Sequence, residues 1–571
     1  MMAREQQPVL DPEVRDGSGH QAERASTSVR LYEGLRRRRR WLVPLLVVLL
    51  LTQMAVAMVT AAAQQTPTVD EPVYVATATD YLHEHRLRYN PEHPPLGKLV
   101  IMAGVAVADP HYDASFPGSQ GQVGQHLLYE SGNDPWRVML WARLPMIALT
   151  LLFGLVVLAF AREVAGTAAG LTALALYALS PDVIAHGSLA TLDVPTAGFV
   201  LTSAWLVWRA RRRPRLYLPL AGAALGAAVA TKMSALPAIP VLMVLALVSV
   251  WHARRPQGRA ERRRTLLLGL AGAGVVALAA IAVVWVTYLV VDPRLRFTPA
   301  EAVPAVHGLR ARLVELLPFP RAFRAGMRVQ FGLENYPWQG YLFGRLYTGS
   351  LWYYLPAALL VKTPLGMLAL WAAGAVAVVA VRRLRPAAPY VLLPPAVLLA
   401  AAMTGSRDFG TRYAVFVPMF LAVGGACVLA VRWRWGRAVT GALVLFVAVS
   451  SLRTYPYYLP YSNEAFGGPA KTHLRLHDSN VDWGQDLGRL ADRLEQRYRG
   501  ERIWLVYKGS GVPSYYGVHA SDPRKVPEGD VHGLLVVSDS WVAKARGKLA
   551  ELIKSSRPID EVGHSITIYR R

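Results

Sequence analysis

The sequence predicts a mainly α-helical protein that crosses a membrane about eleven times and ends in a small external α/β domain. Of its 571 residues, 53% are hydrophobic and only 18% are charged, against roughly 25% charged residues in an average soluble chain. Apolar runs, several of them short, recur between residues 41 and 452. The net charge of +24 comes mostly from arginine clusters between these runs.

This composition excludes two function classes and one kind of site. An apolar chain with few charges is unlike a disordered protein, and its arginines separate membrane spans instead of forming one nucleic-acid-binding face. Cys427 is the single cysteine, so the chain has no intrachain disulfide and no cysteine-based zinc site.

The first predicted span covers residues 41–63 and is long enough to cross a hydrocarbon core of ~30 Å. Five arginines at residues 36–40 precede it, so we expect residues 1–40 to form a disordered cytoplasmic tail with an arginine anchor. Three alanines at residues 61–63 resemble a signal-peptidase site. The apolar run is longer than the core of a signal peptide, so we expect an uncleaved anchor.

The other ten predicted spans alternate across the membrane from that cytoplasmic N-terminus. This alternation places the arginine clusters at residues 209–215, 254–264, 382–385 and 432–437 inside. Residues 64–137, residues 292–363 and the tail from residue 453 then lie outside. The spans are residues 138–161, 167–185, 196–208, 216–230, 235–251, 265–291, 364–381, 390–403, 413–431 and 438–452.

The tail, residues 453–571, differs in composition from the spans. Leucines at helical spacing predict a helix over residues 483–500, and a second helix is predicted over residues 542–553. Short apolar segments at residues 503–507, 534–537 and 566–569 predict strands. We therefore expect an external α/β domain here.

Two acids, Asp70 and Glu71, follow the first span directly. Pro72 suits the first turn of a helix, so both carboxylates would lie at a helix N-terminus, where the dipole favours their ionised form. Capping of the helix by an acid is the alternative. Two adjacent acids on a short tether at the membrane surface favour catalysis.

A second motif in the same loop runs from Asn90 through His93-Pro94-Pro95 to Lys98. The prolines start a helix and place Lys98 in its first turn, which suits a phosphate site. Glu92 and His93 would face the same space. His93 alone is compatible with a metal ligand, a phosphate donor or a packing residue, and no paired zinc motif accompanies it.

More charged residues reach the external side near the ends of later spans. Asp193 precedes a helix-starting proline, so capping and function are both open. Lys232 lies between two spans whose other ends are cytoplasmic, which makes it a functional candidate. The remaining candidates are cationic or aromatic and are either interfacial anchors or anion ligands: Arg345, Lys362, Arg407, Arg412 and Tyr413.

Carboxylates flanked by lysine and arginine at the outer leaflet suit a substrate with a phosphate head and an apolar tail. A sugar carried on polyprenyl phosphate has this form. Its transfer to a hydroxyl needs a carboxylate to accept the proton and cations to stabilise the departing phosphate. We expect no nucleic-acid partner and no required cofactor.

Asp70-Glu71 after the first span, followed by His93-Pro94-Pro95-Leu96-Gly97-Lys98, resembles the first external loop of the protein O-mannosyltransferase family. Together with Asp193 and Lys232, the set is similar to bacterial phospholipid-carrier-dependent glycosyltransferases and to the aminoarabinose transferase that modifies lipid A. The resemblance covers roughly residues 41–450 and implies the type C glycosyltransferase architecture.

This resemblance implies Asp70 as catalytic base, Glu71 as a residue that orders the acceptor or the base, and Lys98, Lys232 and an external arginine as phosphate ligands. It implies transfer with inversion in one displacement at the outer face of the cytoplasmic membrane. Metal is dispensable in this branch, although related oligosaccharyltransferases use a divalent ion, so Glu92, His93 and Asp193 keep that alternative open. The tail motif His477 to Leu487 resembles one in bacterial members, with capping and packing of the next helix as the alternative.

The resemblance leaves the acceptor open. Residues 292–350 are too few for the β-trefoil repeats of eukaryotic protein O-mannosyltransferases, so an exported protein, a glycan and a lipid all remain candidate acceptors. A non-catalytic transporter or flippase for the same lipid-linked sugar is the alternative function. It would use the cations but would have no need of Asp70 as a base.

Overall fold

The computed structural model describes the backbone of residues 18–571 and the side chains from Trp41 onward. Residues 1–17 of the predicted tail therefore lie outside the described residues. The rest of the predicted tail belongs to helix α1, which begins at Ser18. The described chain divides into two units, with the boundary between residues 49 and 50. All sites discussed below lie in the second unit.

The described chain is mainly helical. Its helices are α1 (Ser18–Gln64), α2 (Glu71–His83), α3 (Pro95–Ala108), α4 (Gln120–Gln125), α5 (Pro135–Ala165), α6 (Thr167–Ala178), α7 (Pro181–Gly187), α8 (Asp193–Ala210), α9 (Pro214–Thr231), α10 (Ala238–Arg254), α11 (Arg259–Val291), α12 (Gly308–Leu316), α13 (Arg321–Glu334), α14 (Tyr354–Lys362), α15 (Leu365–Ala380), α16 (Ala388–Ala402), α17 (Phe416–Ala426), α18 (Gly436–Thr454), α19 (Leu487–Arg497), α20 (Asp539–Ala543) and α21 (Lys548–Lys554).

Among the described residues, five helices are long and apolar enough to cross a membrane, namely α1 from Trp41, α5, α11, α16 with the short turn before it, and α18. Two further pairs qualify if each bent pair is one span: α6 with α7, bent by 61°, and α14 with α15, bent by 120°. Each pair breaks just before a proline, Pro181 or Pro364, which disfavours helical backbone at the preceding residue. The protein is thus a membrane protein with five to seven candidate spans by length and composition.

The remaining predicted spans coincide with helices that do not meet these criteria on their own. They are α8, α9, α10 and α17. Helix α8 packs against α9 and α10, and α9 packs against α11. Most residues of α8 and α17 are buried by protein, so the composition of these two helices is less constrained by lipid contact. Helices α9 and α10 are only partly buried.

The C-terminal residues form a four-stranded sheet in the order β3-β4-β6-β5, with β3 (Ile503–Val506), β4 (Leu534–Ser538), β5 (Arg557–Val562) and β6 (Ile566–Arg570). Strands β3 and β4 are parallel, and the other pairs are antiparallel. Strands β3, β4 and β6 lie where the sequence predicts them, whereas β5 was not predicted. The predicted helix over residues 542–553 is two helices, because Gly547 between them adopts a positive φ of 51°.

The region between α11 and α14, predicted only as an external loop, contains α12, α13 and a hairpin of β1 (Gln339–Leu342) and β2 (Arg345–Thr348). Helix α13 packs closely on the loop before α3. A side chain at Gly326 would collide with the carbonyl oxygen of Pro91. The close approach brings the polar end of α13 to the loop that contains Glu92 and His93.

Candidate active site

A cavity of about 700 Å³ lies where several helix ends meet. Its wall includes the starts of α8 and α17, the end of α16, the turn between α9 and α10, and Asp70 at the start of α2. Helices that alternate in direction bring starts and ends together in this way. The external ends predicted from the arginine clusters thus surround one cavity.

Asp70 and Arg412 form an ion pair in the cavity wall, with Asp70 Oδ2 2.6 Å from Arg412 Nη1. Asp70 precedes α2 and makes no capping hydrogen bond, so its carboxylate is directed to the arginine instead. Arg412 also donates from Nη2 to the Tyr413 hydroxyl at 3.1 Å. The arginine thereby holds a carboxylate and a phenol at once.

Asp193 and Lys232 form a second ion pair in the same wall, at 2.5 Å. Asp193 is the first residue of α8, and Lys232 ends α9 in extended backbone. Both side chains are largely buried. A buried ammonium in the wall of a cavity can form an ion pair with a phosphate that enters the cavity.

Arg407 forms the third pair. Its Nη2 lies 2.7 Å from Glu334 Oε1 and donates to Gln330 Oε1 at 2.7 Å. Arg310 of α12 also lines the cavity. The acids and cations of the wall are therefore mostly paired with each other, and an anion that enters would compete for the cations.

Glu92 and His93 also line the cavity. Glu92 Oε1 accepts hydrogen bonds from the amides of Asn90, at 2.9 Å, and Gln120, at 3.0 Å. Burial, and then the positive charges of Lys232 and Lys98, hold the pKa of His93 well below its usual value. His93 is therefore neutral near pH 7, and its Nδ1 has no hydrogen-bond partner among the described residues.

The cavity also has an apolar wall. Val200 of α8, Leu398 of α16 and Phe416 of α17 line it. These residues belong to helices of the membrane bundle. The cavity therefore combines ion pairs with apolar side chains.

Four predicted site residues lie outside this cavity, and Glu71 is the first of them along the chain. Glu71 is fully buried and forms a two-point ion pair with Arg143 of α5, at 2.8 and 2.6 Å, and it accepts the backbone N–H of Ala190 at 2.7 Å. Burial raises the pKa of Glu71, but Arg143 and these hydrogen bonds lower it by more. The pKa of Glu71 therefore lies below its usual value. Glu71 thus joins α2 to α5 and to the loop before α8 and fixes the position of Asp70.

Lys98 is also fully buried outside the cavity. Its Nζ donates to the carbonyl oxygens of Asn90, at 2.8 Å, and His93, at 2.6 Å, and approaches the Asn90 side-chain oxygen at 3.3 Å. These three contacts use all donors of the ammonium. Lys98 closes the loop that positions Glu92 and His93 and has no free donor for a phosphate.

The structure places the last two predicted cations away from the cavity. Arg345 is exposed on β2. Lys362 is buried at the end of α14, where its Nζ donates to the carbonyl oxygens of Leu459 and Asn480. It attaches α14 to the chain after the last apolar helix.

No cluster of three or more His, Cys, Asp or Glu residues suited to a metal ion occurs in the part of the chain that the structure describes. Glu92, His93 and Asp193 thus belong to no such cluster among the described residues. The structure therefore supplies no argument for a metal at this place.

Several residues of the site were not predicted. Gln330 and Glu334 come from α13, one turn apart on the face directed to the cavity, and Arg310 comes from α12. Helical spacing of polar residues in residues 321–334 was the available signal. Trp483 was also missed as a site residue, although its ring lies 4.3 Å from the Arg412 guanidinium carbon.

Comparison with protein families gives a match over residues 47–292 to the family described as dolichyl-phosphate-mannose-protein mannosyltransferase. This segment contains Asp70, Asp193 and Lys232. The match confirms the resemblance to the protein O-mannosyltransferase family and the predicted enzyme class, a membrane glycosyltransferase. Comparison with curated protein sequences gives no match.

Solved structures similar to this chain include ArnT from Cupriavidus metallidurans in the apo state, with 16% identity, a TM-score of 0.46, and coverage of 92% of this chain and 97% of that one. The archaeal oligosaccharyltransferase AglB from Archaeoglobus fulgidus, in complex with an inhibitory peptide and a dolichol-phosphate, has 12% identity, a TM-score of 0.41, and coverage of 86% and 69%. The S. cerevisiae protein O-mannosyltransferase Pmt1-Pmt2 complex bound to the sugar donor has 17% identity, a TM-score of 0.33, and coverage of 42% and 33%.

Proposed function

We propose that this glycosyltransferase moves a sugar from a polyprenyl-phosphate-linked donor to a hydroxyl acceptor, with inversion, at the outer face of the cytoplasmic membrane. One observation carries the proposal. A single cavity contains the carboxylate of Asp70 as candidate base, three cations in ion pairs, and apolar side chains of the helices. A donor with a phosphate between a sugar and a prenyl chain needs all three features.

The donor phosphate would lie among Lys232, Arg407 and Arg412, with Arg310 at the side of α12. Arginine binds phosphate oxygens through two parallel hydrogen bonds, and lysine acts as a point charge. The prenyl chain would follow the apolar wall near Leu398 and Phe416. In this pose the sugar lies toward Asp70 and His93.

The reaction is a single displacement at the anomeric carbon. Asp70 accepts the proton of the acceptor hydroxyl, whose oxygen forms the new bond to the anomeric carbon. The bond from that carbon to the phosphate oxygen breaks, and the electron pair leaves with polyprenyl phosphate. The phosphate gains one negative charge, which the cations of the wall stabilise more strongly than the charge of the donor.

Arg412 would link donor binding to this step. In the structure it is paired with Asp70. A phosphate that takes over the guanidinium releases the carboxylate, so that Asp70 becomes available as a base only when the donor is present. The neutral ring of His93 is suited to hydrogen bonding with a sugar hydroxyl or with the acceptor.

The topology that goes with this function has the N-terminus in the cytoplasm, about eleven spans, and residues 453–571 outside as an α/β domain. The helix positions and the C-terminal sheet support it. The acceptor is an exported protein, a glycan or a lipid. Mass spectrometry of exported proteins and envelope glycolipids, with and without the gene, identifies which class loses a sugar.

Replacement of the base separates the enzyme from the alternative, a non-catalytic flippase for the same lipid. We expect Asp70→Asn to lower kcat by about 100-fold or more, since a positioned base contributes 10²–10⁴-fold, while binding of polyprenyl phosphate is retained. Glu84→Gln, at the opposite end of α2, is the matched control and should transfer normally. Unchanged transfer by Asp70→Asn would remove the proposed base.

A further inference from the structure

The segment from His477 to Asp486, here called the tail segment, contacts both stretches of chain that supply the central ion pair. It follows the last apolar helix and precedes α19. Its residues are nearly all buried. One short segment near the C-terminus thus touches the site on two sides.

The tail segment first holds the tether that leads to Asp70. The backbone N–H groups of Thr66 and Val69 donate to the carbonyl oxygens of Gln485 and Trp483, both at 3.0 Å. The Thr66 hydroxyl donates to the carbonyl oxygen of Gly484 at 2.9 Å. Three hydrogen bonds therefore fix the chain in the five residues before the proposed base.

It also holds the loop that leads to Arg412. The N–H of Ser479 donates to the carbonyl oxygen of Phe409 at 3.1 Å, and the N–H of Thr411 donates to Asn480 Oδ1 at 3.1 Å. Gly410 lies between them with a φ of 149°, and a side chain there would collide with the Ser479 hydroxyl. The backbone of the loop is thus held against the tail segment by hydrogen bonds to a main-chain and a side-chain group.

Trp483 contacts Arg412, the cationic member of the ion pair. Its side chain is 1% exposed, and its ring centroid lies 4.3 Å from the guanidinium carbon of Arg412. The ring of Tyr413 lies 4.9 Å from the same carbon. Contacts of this kind stabilise a guanidinium and restrict its orientation.

The first half of the tail segment is itself held on two sides. Asn480 donates to the hydroxyl of Tyr354 in α14 at 2.9 Å, and Lys362 donates to its carbonyl oxygen at 2.8 Å. Asp478 forms an ion pair with Lys508, which follows strand β3. The segment is therefore fixed between the membrane helices and the C-terminal sheet.

Capping of α19 does not account for this segment. Asp486 precedes α19 but makes no capping hydrogen bond. Its carboxylate contacts Arg489 and the hydroxyl of Ser565 instead. The contacts with Thr66, Val69 and Thr411 also lie far from that helix in sequence.

We propose that the tail segment is a positioning element of the transfer site, and that Trp483 fixes the Arg412 guanidinium between Asp70 and the donor phosphate. This proposal rests on the proposed function. The C-terminal residues thereby complete the site that the first external loop begins. Trp483 acts through Arg412 and Asp70 and does not contact the reacting atoms.

The test compares two tryptophans in the full-length protein. Trp504 in β3 is also 1% exposed and has the guanidinium carbon of Arg502 at 4.4 Å from its ring, but it contacts neither stretch of the site. Trp483→Leu and Trp504→Leu therefore remove the same side chain from equally buried places. Trp483→Phe keeps an aromatic face over Arg412.

Donor KM distinguishes positioning from loss of folded enzyme, because unfolded molecules lower the apparent kcat and leave KM unchanged. We expect Trp483→Leu to raise the KM for a synthetic polyprenyl phosphosugar about 10-fold and to lower kcat by about 10- to 100-fold, as small displacements of catalytic groups do. Trp483→Phe should recover most of both, and Trp504→Leu should keep the KM of the unchanged protein. A normal KM in Trp483→Leu, or an equal rise in Trp504→Leu, overturns the proposal.

Failure of the proposed function gives a different result. If the unchanged protein neither transfers the sugar nor binds polyprenyl phosphate, the function fails and the positioning role is judged from a structure of Trp483→Leu. An Asp70–Arg412 separation beyond about 4 Å, the limit of an ion pair, supports the proposal. An intact pair in that variant overturns it.

Discussion

Asp70 and Arg412 are 342 residues apart in the chain, and their side chains lie 2.6 Å apart in the wall of the cavity. One residue precedes the first helix after the N-terminal span, and the other follows α16. Each lies in a short connection between helices, so the pair depends on the packing of the helices to bring its members together. In the proposed function it is the contact that the donor phosphate rearranges.

Replacement of Arg412 by lysine should impair both donor binding and transfer. Lysine keeps the charge, but it lacks the fork that reaches Asp70 through Nη1 and Tyr413 through Nη2. We expect Arg412→Lys to lower kcat/KM for the donor by about 10- to 100-fold, the loss of one to two good charged hydrogen bonds. Arg345→Lys is the control, since Arg345 is exposed on β2. Equal activity of the two variants would contradict the role of Arg412.

Lys98 and Lys232 should respond differently to the lipid product. Both are buried, but Lys98 donates to its own loop and Lys232 lines the cavity beside Asp193. Polyprenyl phosphate that binds the folded protein raises the unfolding temperature. We expect the same rise in Lys98→Met as in the unchanged protein and a much smaller rise in Lys232→Met. Loss of the rise in Lys98→Met would return Lys98 to the phosphate site.

The sequence was sufficient for most of the cavity because membrane topology decides which loops share a side. Arginine clusters predict the orientation of the spans. An ionisable residue at an external span end avoids the lipid and is therefore restricted to the loops and cavities on that side. Asp70, Asp193, Lys232, Arg407 and Arg412 all line the cavity for this reason. Their exact partners needed the structure.

The sequence did not predict the direction in which each side chain points within one helix turn. Asp70 and Glu71 are adjacent, but neighbouring helical residues differ by about 100° in direction. One faces the cavity and the other meets Arg143. Lys98 is a similar case, since a lysine at a helix N-terminus can bind either a phosphate or protein carbonyl groups. In the structure it binds the carbonyl oxygens of Asn90 and His93.

Gly326 gives a test of α13 as part of the site. A methyl group there would collide with the Pro91 carbonyl oxygen and move α13, so that Gln330 loses its hydrogen bond to the Glu92 carbonyl oxygen at 3.0 Å. We expect Gly326→Ala to lower kcat about 10-fold by displacement of charged groups. Gly274→Ala, in an open part of α11 with no atom nearby, should keep full activity. Equal kcat in both variants would show that α13 can shift without effect.

The last prediction concerns pH and Asp482 of the tail segment. Burial, together with the nearby Asp539, raises the pKa of Asp482 from 3.8 to about 7, and its Oδ2 has no hydrogen-bond partner among the described residues. The folded protein therefore keeps this proton up to about pH 7, whereas the unfolded chain releases it near pH 4. The associated stability is complete at low pH and is lost as the pH rises through the folded-state value.

Asp482→Asn tests this because its side chain cannot ionise. We measure the apparent unfolding temperature of the variant and of the unchanged protein in detergent at pH 5 and pH 8. The unfolding temperature of the variant, relative to that of the unchanged protein, should be higher at pH 8 than at pH 5. Asp492→Asn, which removes an exposed carboxylate from α19, is the control. A difference between Asp482→Asn and the unchanged protein that stays constant over this range would mean that Asp482 is already ionised in the folded protein at pH 5.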